Sequence, residues 1–82
     1  MPTVLRQGSL RIVIYTNDHR PAHVHIIDSG REATFDLHCP DGPPELRLTF
    51  GFDRQSLNRI RKMLADRLAA LCHQWRQIHG DY

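Results

Sequence analysis

Three histidines, an aspartate and an arginine fall within nine residues of this 82-residue chain, in the stretch NDHRPAHVH at residues 17–25. The chain has six histidines in all, so half of them are gathered there. Imidazole changes its charge near neutral pH and is also a common metal ligand. Three chemistries compete for the cluster. In the first, His23 and His25 act as general base and acid on a phosphodiester, Arg20 stabilises developing phosphoryl charge, and His19 stands at the rim. RNA suits such a pair, because its 2′-hydroxyl is an internal nucleophile and no metal or other cofactor is needed. In the second, His23 and His25 chelate a metal with His19 or Asp18 completing the set, although no familiar ligand spacing is present. In the third, the residues are the polar side of a solvated sheet.

The flanking elements decide which residues can meet. LRIVIY alternates, with Leu10, Ile12 and Ile14 on one side and Arg11, Val13 and Tyr15 on the other, so a half-buried strand is expected. TNDHRP breaks the pattern with turn formers, and AHVHII resumes it. Ser29 and Gly30 then read as a two-residue hairpin loop before REATFDLH. Counting outward from that loop pairs Asp28 with Arg31, Ile26 with Ala33, Val24 with Phe35 and Ala22 with Leu37. The same count sets His25 opposite Thr34 and His23 opposite Asp36. Directly opposed Cβ atoms lie about 4.5–5.5 Å apart, so Asp36 is placed to orient His23. After the loop CPDGPP, ELRLTF makes a further strand with Leu46, Leu48 and Phe50 inward, and TVLR can add an edge strand at the start.

From Asp53, a natural N-cap, the period becomes helical. Leu57, Ile60, Leu64, Leu68, Leu71, Trp75 and Ile78 form one stripe, and Gly80 stops it. The expectation is an α+β fold: a small antiparallel sheet of four to five strands within residues 3–50, and a long C-terminal amphipathic helix over residues 54–79 packed on one face. The polar face, with His23, His25, Asp36 and His38 together with Tyr15, Arg11 and Arg47, is then left free. One unbroken helix would run about 39 Å at roughly 1.5 Å per residue, twice the length of an ordinary strand. Either it bends near Asp66 or its end overhangs. The overhang is favoured, with Leu71, Trp75, Ile78 and Arg76 awaiting a partner or a second copy, because a small domain seldom leaves Trp and Ile uncovered.

Composition bounds the rest. The length suits one domain, 40% hydrophobic residues are globular, and no apolar run approaches a membrane span. The N-terminus lacks a secretory signal pattern, so the expected location is the cytoplasm, with Cys39 and Cys72 kept as thiols of no functional consequence. A net charge of +2 conceals an asymmetry, −1 over residues 1–52 and +4 over residues 53–79. The six basic residues of the helix read as a solvated face before a nucleic-acid footprint, with Arg67 the exception because it borders the apolar stripe.

MPTVLR at the start, YTNDHRPAHVH, a following EA-x-F-x-L and GF opening a helix with a late Trp together resemble the small bacterial family catalogued as domain of unknown function 4160. The resemblance covers nearly the whole chain, and YTNDHRPAHVH is its most specific part. The family's signature positions fall here on Asp18, His19, Pro21, His23 and His25. The resemblance implies a toxin of a two-gene toxin–antitoxin module that inhibits growth through RNA or the translation machinery. It further implies neutralisation by a small antitoxin protein, commonly of the family called domain of unknown function 2442. The antitoxin is expected to cover the Leu71–Trp75–Ile78 ridge or the histidine face, and to be acidic where it meets Arg59, Lys62 and Arg76. A non-enzymatic module that binds protein or nucleic acid is the alternative. The chain departs from the family pattern at Asp36, where an aromatic is usual, at Arg67, often Asn, and in the length of the loop HCPDGPP.

Overall fold

The computed structural model describes residues 3–82; Met1 and Pro2 of the N-terminal motif lie outside the described residues. Five strands, β1 (Thr3–Gln7), β2 (Leu10–Val13), β3 (His23–Asp28), β4 (Arg31–Asp36) and β5 (Glu45–Phe50), form one antiparallel sheet in chain order. Two helices follow, α1 (Arg54–Asp66) and α2 (Leu68–His79). The fold is α+β, as the alternating first half and helical second half require.

The register count from the hairpin holds along β3 and β4. Asp28 faces Arg31, Ile26 faces Ala33, Val24 faces Phe35, His25 faces Thr34 and His23 faces Asp36. Ser29 and Gly30 both take positive φ, 48° and 81°, which is the twist a two-residue hairpin needs. Beyond β3, Leu37 N–H donates to Ala22 C=O at 3.0 Å and extends the pairing by one step. The alternation therefore sends Ile12, Val24, Ile26, Ala33 and Phe35 to one face, where Ile60 and Leu64 of α1 and Leu71, Cys72 and Trp75 of α2 cover them. Large buried side chains of this kind each contribute roughly 1.5–3 kcal/mol, which is what holds amphipathic helices to a sheet.

Two expectations about the core are corrected. Leu48 and Phe50 do not point inward, and Leu46, on the helix side opposite Phe35, is only partly covered; they are 53, 65 and 40% exposed. The cause is a bulge. Phe35 pairs with Leu46 but Thr34 with Leu48, so Arg47 is an extra residue on β5 and the parity of the strand reverses after it. Leu48 and Phe50 consequently share a face with Thr34 and Glu32, opposite the helices. The long helix is also not continuous. It breaks at Arg67 (φ −114°, ψ 17°) into pieces of 13 and 12 residues, each about 18–20 Å long. These lengths fit a molecule measuring 32 × 25 × 20 Å, which a straight helix of 26 residues would overrun. Leu71 and Trp75, 2 and 0% exposed, thus turn back onto the chain's own core and form no overhanging ridge. Ile78 is half-buried against the same core. Arg76 is exposed, with its guanidinium over the Tyr82 ring.

The helix ends follow their sequence signals. Asp53 Oδ1 accepts from Ser56 N–H at 2.7 Å, and Gly80 closes α2 in the left-handed conformation. A third correction concerns the cysteines. Cys39 and Cys72 are joined in a disulfide, with Cα atoms 5.8 Å apart, that ties the loop after β4 to the middle of α2. The break at Arg67 is what brings Cys72 round to that loop.

Candidate functional site

The chain between β2 and β3 turns back across the start of β3. Asp18 N–H donates to Tyr15 C=O at 3.1 Å, and Tyr15 N–H donates to Asp18 Oδ2 at 3.0 Å. This local turn, favoured by an Asp that bonds its own backbone, holds the carboxylate under the strand. Asp18 Oδ2 then stands 3.2 Å from His25 Nε2, and Oδ1 stands 3.5 Å from His23 Nε2. The three side chains are only 13, 16 and 7% exposed, respectively.

Each imidazole is oriented from its far side. His23 Nδ1–H donates to Pro21 C=O at 2.8 Å, so Nε2 is the nitrogen that faces Asp18. His25 has Thr34 Oγ1 at 3.5 Å and Glu32 Oε2 at 3.9 Å beside Nδ1, so again Nε2 faces Asp18. Aromatic rings wall the group in. Tyr15 lies 4.9 Å from the His25 ring and Trp75 lies 5.2 Å from the His23 ring, centroid to centroid. Burial works against the Asp18 charge. The Tyr15 backbone N–H and the neighbouring His25 and His23 outweigh it and hold the carboxyl below its ordinary pKa.

The cluster differs from the one expected. Asp36 stands opposite His23 in register but pairs with Arg47, while the His23 ring turns toward Pro21 C=O, Asp18 and Trp75. Asp36 therefore does not orient His23, and Arg47 is held by Asp36 away from the histidines. His23 is also not open to solvent on a free sheet face, because Trp75 of α2 covers it. Arg20 reaches outward to Asp81 at 3.6 Å with both side chains largely exposed. His19 is exposed on the turn and is not one of the three grouped donors. His38 is exposed and paired with Glu45 at 2.8 Å. Arg67 reaches Gln7 Oε1 at 3.4 Å from the helix break. Tyr15 does belong to the site, through both its ring and its backbone.

One participant was missed. His79 Nε2–H donates to Tyr15 C=O at 3.1 Å, and its ring lies 4.1 Å from that of Trp75. It ties the end of α2 to the turn that carries Asp18. Its i+4 spacing from Trp75 on the helix was the available signal.

Residues 9–76 match a family model described as Domain of unknown function (DUF4160). The chain belongs to that family. The matched region contains Asp18, His23, His25 and Trp75 but leaves out β1 and His79. No curated protein and no solved structure matches the chain.

In this DUF4160 member, proton transfer to a substrate would need an imidazole nitrogen directed at that substrate. Both Nε2 atoms are instead directed at Asp18, and both Nδ1 atoms lie against groups of the chain itself. The arrangement is a carboxylate held between two oriented imidazoles, under a lid of Tyr15 and Trp75.

Proposed function

We propose that the chain is the growth-inhibiting component of a bacterial two-gene module and works by binding, not by cleaving RNA with its histidines. On this reading it acts in the cytoplasm on the translation machinery, and a small acidic protein, of the kind called domain of unknown function 2442, neutralises it by direct contact.

The observation that carries the binding reading is β5. It is the last strand of the sheet, so among the described residues one side of its backbone has no neighbouring strand, and it presents Leu48 and Phe50 on the face away from the helices and Leu46 on the helix side, at 53, 65 and 40% exposure. Long apolar edge strands invite pairing with another chain, and proteins ordinarily blunt them with charge or proline. A partner strand laid along β5 would gain main-chain hydrogen bonds and place its own side chains beside Leu48 and Phe50 on one face and Leu46 on the other. Charge indicates its nature. Beside Leu46 a groove lined by Phe35, Leu57, Arg54 and Arg61 runs between β5 and α1. Two copies of this chain paired there would bring like charges together, whereas an acidic strand would meet opposite ones. The direction of both Nε2 atoms, toward Asp18 and not toward an open cleft, supports the same reading against metal-free catalysis.

The test substitutes Leu48→Lys and Phe50→Lys together. Both side chains are exposed, so folding is expected to be unaffected by circular dichroism while complex formation with the neighbouring gene's product is lost. Purified chain is expected to leave total RNA intact, with or without chelator. Undiminished complex formation by the double variant, or cleaved RNA, would refute the binding reading.

A further inference from the structure

We infer that Asp18, His23 and His25 form a binding site for one divalent transition-metal ion, of the class that takes two imidazoles and a carboxylate. The inference is independent of the β5 reading and rests on different residues.

Three observations converge. The first is spacing. One donor atom from each of the three residues lies within 4.8 Å of the other two. A tetrahedral ion with bonds of about 2.0–2.1 Å sets its ligand atoms about 3.3–3.4 Å apart. Two edges of the triangle already measure 3.3 Å, from His25 Nε2 to Asp18 Oδ1, and 3.5 Å, from His23 Nε2 to the same oxygen.

The second is the far side of each ligand. Metal-binding histidines donate their other N–H to a carbonyl or carboxylate, which fixes the ring and leaves the lone pair on the metal side. His23 does this to Pro21 C=O at 2.8 Å. His25 has Thr34 Oγ1 and Glu32 Oε2 on that side, both able to accept. Asp18 Oδ2 accepts from Tyr15 N–H, and Oδ1 faces the two imidazoles. The outer partners of a metal site are thus all supplied by the turn and by β4.

The third is enclosure. The Asp18, His25 and His23 side chains are 13, 16 and 7% exposed, and the Tyr15 and Trp75 rings stand beside the two imidazoles. An ion held between the three donors would be shielded from most competing water. Two nitrogen donors and one oxygen favour zinc, cobalt, iron or nickel over magnesium or calcium, which prefer oxygen throughout. Three protein ligands leave further coordination positions open. A bound ion would fasten the turn at Asp18 to β3 and brace the Tyr15 and Trp75 rings around it.

The test is titration of the full chain with Zn(II), followed calorimetrically, and with Co(II), followed by its visible absorption. One equivalent is expected to bind. Asp18→Asn and His25→Gln are each expected to weaken binding by more than about 100-fold, since outer partners alone contribute roughly 10–100-fold at such sites. His19→Gln, His38→Gln and His73→Gln are expected to bind as the parent does. A wild-type readout stands beside the variants: the imidazole NMR signals of His23 and His25 should shift with Zn(II) while those of His38 and His73 stay in place. Saturable binding absent from the parent chain, binding unchanged in both Asp18→Asn and His25→Gln, or loss in His19→Gln instead, would overturn the inference.

Discussion

Removing the Cys39–Cys72 cross-link should cost this chain a large part of its stability. The two residues are 33 apart in sequence, so the bond closes a long loop in the unfolded chain. The chain-entropy relation for a loop of that size gives about 3.7 kcal/mol. A domain of this length is expected to hold about 4–12 kcal/mol in total. Reduction therefore removes at least about three-tenths of it. With a urea slope of about 1–2 kcal/mol per molar, the midpoint should fall by roughly 2–4 M. Trp75 is the chain's one tryptophan and is fully buried in α2, beside the cross-link, so its fluorescence reports the event. Urea melts of the parent chain with and without reductant, and of a Cys39→Ala, Cys72→Ala double variant, make the comparison. Reduced parent and double variant should coincide, both well below the oxidised parent. Oxidised and reduced melts agreeing within about 0.5 kcal/mol would refute the loop-closure reasoning. Under reducing conditions the same measurement fixes how much folded protein persists.

Further outcomes follow from named contacts. Trp75→Ala should destabilise the chain by about 3–5 kcal/mol, as expected for an aromatic lost from a core, and a denaturant melt decides it. A partner-only role for Trp75 would leave the melt unchanged. Asp28 is almost buried, and burial raises its pKa, but hydrogen bonds from Ser9, Ser29 and Arg31 outweigh this and depress it in the folded state. Its contribution to stability is therefore complete above the unfolded carboxyl value and disappears as pH falls through the lower folded one. Below about pH 4 the parent should lose stability more steeply than Asp28→Asn, and parallel stability–pH curves would contradict this. Gly51→Ala should destabilise the chain, because φ is 87° there and a Cβ would sit 2.8 Å from Arg31 Cγ; equal melting temperatures would contradict it.

The hairpin register was legible because Ser29-Gly30 and three apolar pairs point to one count, and the pairs occupy that register. The inward direction of β5 was not, since one extra residue reverses parity and nothing local in ELRLTF marks Arg47 as extra. Nor was the helix break chosen over an overhang: ADRLAA contains neither glycine nor proline, and the cause is the length of the molecule. The cross-link was hidden because two cysteines 33 apart have no spacing rule to follow. At the site, His23 and His25 were readable from residue type. The choice of Asp18 over Asp36 was not, because opposition in a register limits where a side chain can reach without fixing which way it turns.

The binding reading is tested most directly by amide hydrogen exchange on the chain alone and with the proposed antitoxin partner. Strand addition predicts new protection along β5, with the amides of α2 unchanged. Protection confined to α2 or to the turn carrying Asp18, with β5 still exchanging freely, would contradict it.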